Sequence, residues 1–597
     1  MYRNLKNLFA LVSQENRQKF VFLQIFVILM AVIDVVSIML IGFFLSAAGD
    51  ITLIQEIPNI LTNNIYFSHK NDLETLYVLG ICAFIMLIIS ASISVYTTWK
   101  LSMFGAIVGA ELSNRLFNFY LSQGWLYHVN NSSSSLTNKI VQEAGRVSGN
   151  IISPLMQMNA KLISGLLICV ALVIYDPMIT SVGATIFGGV YYLLYVTLRR
   201  SLGRNGSVIS QAQEAKYRLM SDGFGGIKDI IILSRQEYFY RNFIKKNLWL
   251  ANALGKNQIM SQVPRFAIEF VALGVVVIFI MVVTQRDGSS ISSLLGTLSV
   301  YGLAMFKLMP AFQIAYTGIS QIKGNLNAFE QIKGDLSSSV SSTSTQTRSD
   351  ETMHLKNELR LSDVSFAFAS QQKFILKNIN VVIPALSTVG LVGVSGSGKS
   401  TTADIISGLM MPTNGNIEID GTPLTEATLK SWRRSVGVVS QSIFLSETTI
   451  KENIAFGLDP KQIDEEKLAS AIISSRVSDF LIELPNGIDT KVGERGVTLS
   501  GGQKQRIGVA RALYCDADLL ILDEATSALD GITEKFIMDS FRNLAGRKTI
   551  LMIAHRLGTV KNCDIIYFFE QGRVTDSGTF DELCRRNSKF RELARLH

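Results

Sequence analysis

Charge is scarce in this 597-residue chain: Asp, Glu, Lys and Arg together make up 17% of it, against about a quarter in ordinary soluble proteins. That deficit excludes a disordered polyelectrolyte. Cysteine is sparser still. The five, Cys82, Cys169, Cys515, Cys563 and Cys584, are odd in number and scattered, with no pair at metal-ligand spacing. They exclude a disulfide framework and a zinc ribbon, and point to a reducing compartment. A formal charge of +8 would fit a nucleic-acid binder, but no Lys/Arg-rich groove interleaved with aromatics occurs, so no nucleic-acid partner is expected. Cytoplasmic basic residues of a membrane protein account for the surplus more simply. A cleavable signal peptide is not expected either, because the first apolar run is too long for one and lacks a small-residue cleavage site.

What the chain does have is apolar length. Hydrophobic residues reach 48% and crowd into roughly the first 320 positions as runs with no polar face at helical spacing. Six runs meet the roughly 20-residue requirement for crossing a bilayer: 20–48, 76–99, 151–174, 179–198, 266–284 and 294–319. The basic segment before the first run, 1–19, reads as a short amphipathic helix on the cytoplasmic membrane surface. The connection 199–265 carries twelve Lys/Arg, whereas 49–75 is acidic. The positive-inside rule therefore puts both termini and the two long connections, 100–150 and 199–265, in the cytoplasm. These connections read as helical stalks reaching roughly 35–40 Å from the membrane at 1.5 Å per residue. Gly223–Asp229 near the second tip fits either a bend with a short crosswise helix or a solvated loop. The outer segment 51–66 has an apolar face that would suit the membrane surface, or an ordinary packed loop. The Ser/Thr-rich stretch 337–350 has nothing to bury. Expected domains are 1–334, a membrane helical bundle with six spans; 335–357, a linker; and 358–597, a soluble α/β domain.

The soluble part holds Gly393-Val-Ser395-Gly396-Ser397-Gly398-Lys399-Ser400-Thr401, a full match to G-x-x-x-x-G-K-[ST]. It follows a buried-strand pattern, 387–392, and precedes a helical one, 401–409. Glycines let backbone amides approach phosphates, and the helix dipole adds its positive end. Lys399 would reach the terminal phosphates and Ser400 would ligate Mg²⁺. Leu519-Leu-Ile-Leu-Asp523-Glu524 ends an apolar strand in two carboxylates, at the strand edge where open α/β sheets bind ligands. Asp523 would hold Mg²⁺ and Glu524 would polarise the attacking water.

Leu499-Ser500-Gly501-Gly502-Gln503, before an expected helix at 504–513, supplies a second set of unhindered amides. This pentapeptide, with Gly393–Thr401, Leu519–Glu524, Ser527-Ala-Leu-Asp530 and Ala554-His555-Arg556, resembles the P-loop ATPase domain of ATP-binding cassette (ABC) transporters from about residue 358 to the C-terminus. Six spans with long cytoplasmic loops ahead of it resemble the exporter branch. The resemblance implies that Gln441 is the Q-loop glutamine touching Mg²⁺, and that Ser500 to Gln503 close over the γ-phosphate held by a second subunit. It further implies that Asp530 is the D-loop aspartate and His555 the γ-phosphate switch. Phe368 falls where the family stacks a tyrosine on adenine, and its ring would serve equally; it also shares a strand face with Val364 and Phe366, which fits core packing.

A site divided in this way implies an ATPase cycle run on ATP and Mg²⁺ by two copies of the chain, most simply a C₂ homodimer. It would drive alternating access across the inner membrane of a bacterium. Polar groups inside spans mark candidate cavity residues: Asp34, Glu269 and Lys307, the first and last read as cavity lining or as an interhelical pair. Gly226–Ile230, Arg235–Phe239 and Phe306–Phe312 resemble the PglK-like flippases of lipid-linked oligosaccharides, which would make a membrane lipid the cargo. A general lipid, lipid A or multidrug exporter, and an ATP-gated channel, remain alternatives.

Overall fold

The computed structural model describes residues 2–49, 72–175, 177–286, 291–342, 352–368, 373–523, 531–554 and 557–595. It divides into two compact units: Met1–Gln123 with Tyr127–Gln346, and Gly124–Leu126 with Thr347–His597.

Among the described residues, the chain up to Ser342 is built of helices: α1 (Tyr2–Leu11), α2 (Gln14–Gly49), α3 (Asp72–Ser122), the short α4 (Trp125–Asn130), α5 (Ser133–Tyr175), α6 (Pro177–Gly225), the short α7 (Ile227–Ile232), α8 (Gln236–Arg286) and α9 (Ile291–Ser342). A backbone in hydrocarbon must satisfy its own hydrogen bonds, and the helix does so within one segment. The 51 residues of α3 and the 52 of α9 extend about 75 Å at 1.5 Å each, well beyond the roughly 30 Å hydrocarbon core. The stalk-like extensions follow from that length. Among the described residues, four helices are long and apolar enough to cross a membrane: Gln14–Ala48, Glu74–Ser122, Ser133–Tyr175 and Thr180–Leu198. The expected spans 266–284 and 294–319 fall on α8 and α9, in stretches where many side chains lie outside the described residues. Large apolar side chains face outward along α2 and α3, with Phe84 at 64% exposure and Ile25 at 60%, a surface suited to lipid contact.

One local expectation takes firmer form and two are revised. Gly223–Asp229 contains the end of α6 and the start of α7, with Gly226 between them (φ −103°), so the short helix forms. The N-terminal helix behaves differently from its surface reading. Leu8 of α1 and Val12 after it are buried in one cluster with Leu112 and Leu116 of α3 and with Phe329 and Leu336 of α9, so this apolar face is spent on protein. Helix α9 also runs to Ser342, into the serine-rich stretch. Leu336 is fully buried, and the hydroxyls of Ser337 and Ser339 bond back to the carbonyls of Lys333 and Leu336, which keeps serine compatible with helix. The outer segment 51–66 lies outside the described residues.

Among the described residues, the second unit holds two sheets. A four-stranded antiparallel sheet has the order β2-β1-β4-β5, with β1 Glu358–Phe366, β2 Leu376–Pro384, β4 Asn414–Ile419 and β5 Thr422–Pro423. A six-stranded sheet has the order β10-β9-β3-β8-β7-β6, with β3 Thr388–Gly393, β6 Val436–Val439, β7 Leu519–Asp523, β8 Thr549–Ala554, β9 Ile565–Glu570 and β10 Arg573–Gly578. All of it is parallel except the edge strand β10. Strands β3 and β8 are buried at every position, as a sheet covered on both faces demands. Ahead of β1, His354 Nδ1 lies 2.8 Å from an Asp518 carboxylate oxygen and Ser435 Oγ donates to the Met353 carbonyl, tying residues 353–357 into this unit.

Candidate functional site

The parallel strands bring the sequence motifs to one edge. In register, Val392 of β3 pairs with Ala554 of β8, Ile553 with Asp523 of β7, and Leu522 with Val439 of β6. The segments that leave these strands, beginning at Gly393, Asp523 and Ser440, therefore emerge side by side at the carboxyl ends, the ligand edge of an open α/β sheet. Glu524, Asp530 and His555 fall just beyond β7 and β8, outside the described residues.

From β3 the chain turns through Gly396 (φ +76°) and Gly398 (φ +105°) into α10 (Lys399–Ile406). At Gly398 the left-handed φ favours glycine, and a Cβ would also stand 2.5 Å from the Leu376 Cδ2 methyl, which would have to shift. Lys399 is 4% exposed, and its Nζ donates to the carbonyls of Gly393 at 2.8 Å and Val394 at 3.1 Å. The ammonium thus closes the loop upon itself. Ser397 is buried and its Oγ has no hydrogen-bond partner among the described residues. A left-handed cradle, a lysine folded over it and an orphaned hydroxyl fit a phosphate chain. Helix α10 starts one residue after the cradle glycine, earlier than the expected Thr401.

The donor set at this edge fits Mg²⁺. Ser400 at the start of α10 is exposed, Gln441 follows β6 and is exposed, and Asp523 ends β7 half-buried. Hydroxyl, amide and carboxylate are hard oxygen donors of the kind magnesium prefers. One acidic neighbour escaped the sequence reading. Burial pushes the Asp404 carboxyl of α10 up to about 6, and the charge of Asp523 adds to the push. A carboxylate five residues after the P-loop lysine was the available signal.

Ser500 caps the next element, α11 (Gly501–Tyr514). The Ser500 amide donates to Gln503 Oε1 at 2.8 Å and Ser500 Oγ accepts from the Gln503 amide at 3.2 Å. This capping box starts the helix three residues earlier than the expected 504 and leaves Gly501 exposed at its N-terminus. Arg511, on the same helix, donates to the carbonyls of Phe444 and Asn453, linking α11 to the chain that follows Gln441. Phe368 is half-buried, with its ring edge-on to Phe366 at 5.2 Å and 81°. Packing against the core thus holds one side of the ring.

In the first unit, Asp34 and Lys307 meet. Lys307 Nζ lies 2.9 Å from Asp34 Oδ1, with Lys307 35% and Asp34 2% exposed. Ser90 donates to the same oxygen at 2.8 Å and Ser164 to Oδ2 at 3.2 Å. One carboxylate ties together α2, α3, α5 and α9. The interhelical pair is the form these two residues take here. Ser90 and Ser164 were missed because isolated serines inside apolar runs carry no periodic signal. Glu269 pairs instead within α8, with Arg265 at 2.6 Å.

A family model described as "ABC transporter" matches residues 376–527. Among curated proteins, the chain is 30% identical over 508 residues to an ATP-dependent lipid A-core flippase of Ralstonia nicotianae, covering 84% of each. It is 30% identical over 573 residues to one of Vibrio vulnificus, covering 94% of each. A solved bacterial Atm1-family ABC exporter with ATP bound superimposes with a TM-score of 0.81 at 21% identity, over 96% of this chain and 98% of that one. At that identity the likeness speaks for the fold.

Proposed function

The chain belongs to the ABC transporter family, as an exporter-type half-transporter carrying its own ATPase domain, and we propose that two copies form a homodimeric flippase for a phosphate-bearing glycolipid. The observation that carries this reading is the union, in one chain, of a phosphate-binding sheet edge with helices long and apolar enough to cross a membrane. In this reading the chain crosses the inner membrane of a bacterium six times, with both termini and the ATPase domain cytoplasmic.

The loop from Gly393 to Thr401 holds the nucleotide phosphates, Phe368 rests on the adenine, and Lys399 turns from the loop carbonyls to the β/γ-phosphates. Ser400, Gln441 and Asp523 would hold Mg²⁺, which when bound neutralises phosphate charge. Glu524 orients the attacking water and His555 holds the γ-phosphate side. Ser500, Gly501, Gly502 and Gln503 of one copy face the phosphates bound by the other, with Asp530 lining the seam. Closure of the two ATPase domains accompanies γ-phosphate binding, and the long helices carry it to the membrane.

The cargo is a lipid-linked oligosaccharide on the strength of segments 226–239 and 306–312. Lipid A-core, the second reading, is favoured by the relatives' names. Both carry glycan, phosphate and hydrocarbon in one molecule. Phosphate release in proteoliposomes, wild type beside Glu524→Gln, tests the proposal. Stimulation by polyprenyl-pyrophosphate oligosaccharide, with none from phospholipid, supports the first cargo, and stimulation by lipid A-core alone supports the second. Equal response to unrelated drugs refutes both, and full turnover in Glu524→Gln refutes the catalytic assignment.

A further inference from the structure

We propose that the cavity walled by α5, α6, α8 and α9 seats the uncharged, hydroxyl-rich part of the transported head group; this deepens the glycolipid reading above and rests on it. The cavity measures about 770 Å³, within the range of small-molecule sites. Eight of its fourteen wall residues are Asn or Gln. On α9, Gln313, Thr317, Gln321 and Asn325 recur every four residues, so they share one face of the helix. On α8, Asn257, Ser261 and Arg265 repeat that spacing.

The wall is polar without being strongly charged. Its two cations are already balanced: Arg146 by Glu143 at 3.0 Å, with side chains 8% and 2% exposed, and Arg265 by Glu269 at 2.6 Å. A site for bare phosphate would hold uncompensated cations, and a site for hydrocarbon would need more than Leu254 and Phe266. An amide carries both donors and acceptors, which matches a hydroxyl, itself donor and acceptor. Three wall residues also hold buried polar atoms with no partner among the described residues: Arg146 Nη2, Gln213 Oε1 and Asn257 Oδ1. Buried polar groups are ordinarily bonded, so this wall is short of partners that a polyol supplies. Along α9 the stripe begins six residues beyond Lys307 and ends eighteen beyond it, roughly 9–27 Å away at 1.5 Å per residue. It is a layer separate from the Asp34 node.

The test uses full-length protein in nanodiscs and the double variant Gln313→Leu/Gln321→Leu, with Gln313→Asn/Gln321→Asn beside it. With polyprenyl-pyrophosphate tetrasaccharide, the leucine pair should raise the half-saturating concentration for ATPase stimulation roughly tenfold, as loss of hydrogen-bonding partners for hydroxyls does. Basal hydrolysis and the response to sugar-free polyprenyl pyrophosphate should stay at wild-type level, and the asparagine pair should shift less. Saturation-transfer NMR with chitotriose supplies a second readout: ring-proton transfer from wild type, weaker from the leucine pair. Should the leucine pair fail to fold, the asparagine pair carries both readouts, with a shift of severalfold expected. The proposal is overturned if sugar-bearing and sugar-free lipids lose their effect together, or if the substitutions alter neither readout. If no polyprenyl lipid stimulates wild type yet chitotriose binding falls in the variants, the flippase reading fails and the cavity assignment stands.

Discussion

Lys307→Met should cost the membrane half more than Asp34→Asn, although both break the same pair. Removing Lys307 strands a carboxylate that is 2% exposed with only the hydroxyls of Ser90 and Ser164. Breaking a buried pair this way costs about 3–5 kcal/mol. The two serine bonds remain and the lysine head is 35% exposed, which brings the expected cost to about 2–3 kcal/mol. Asp34→Asn keeps the shape and most of the bonding, and the long, partly exposed lysine stem lets the ammonium move out of the pair, so about 1 kcal/mol is expected. The double variant leaves no unpaired charge and should lie near the milder single one, giving a coupling of about 2 kcal/mol. Equilibrium unfolding of the four proteins in lipid nanodiscs completes the cycle. Additive losses, or Asp34→Asn proving the worse substitution, would refute the reasoning. Activity divides the roles further: Lys307→Ala should lower transport more than basal hydrolysis, and an equal loss of both would make the node purely structural.

Two other perturbations separate packing from charge. Gly206→Ala places a Cβ 2.2 Å from the Gly324 carbonyl oxygen, backbone that no rotamer change can move, whereas Gly183 has open space around it. Gly206→Ala should therefore destabilise by about 1–3 kcal/mol and Gly183→Ala by almost nothing, and equal unfolding midpoints would contradict the close crossing of α6 and α9. Asp404→Asn should stabilise the ATPase unit at neutral pH, because burial raises the native carboxyl from 3.8 to about 6. The wild type therefore prefers the protonated acid and loses stability as pH rises through that window. The shift corresponds to at most about 3 kcal/mol, and partial exposure reduces it to about 1 kcal/mol, or roughly 2–4 °C in the unfolding midpoint. Nucleotide-free, EDTA-treated protein scanned at pH 4 and pH 7.5 checks it: the variant should gain only at pH 7.5, and a gain equal at both would exclude titration as the cause.

Legibility in the sequence tracked range. The P-loop and the strand ending at Asp523 were readable because each is a contiguous pattern whose geometry is local: a turn needing glycine, a buried strand meeting a polar edge. Long helices were readable for the same reason. The Asp34 node was half-readable. A carboxylate and a lysine stood out inside apolar runs, but 273 positions separate them, and only packing decides whether such groups line a cavity or find each other. Ser90 and Ser164 gave no signal, since a small residue inside a span is ordinary. The α9 stripe was written at an even spacing of four and still passed unnoticed, because the spans were read for charge and amides carry none.

The segment Ser500–Gln503 shows why a motif's letters and its chemistry need separate accounts. Ser500 Oγ accepts from the Gln503 amide, and Gln503 Oε1 accepts from the Ser500 amide. Each side chain is thus engaged in starting α11 before any nucleotide is considered. What is left to offer an anion is the Ser500 hydroxyl proton, the free amides of the first turn and the dipole of a 14-residue helix. Two adjacent glycines keep those amides open where side chains would screen them. The serine and glutamine therefore fix the direction in which the first turn points, and the glycines decide what can reach it. An anion bound there must come from outside this helix, and the pairing of two chains proposed above would supply it, each copy presenting one capped helix to the other's phosphate cradle.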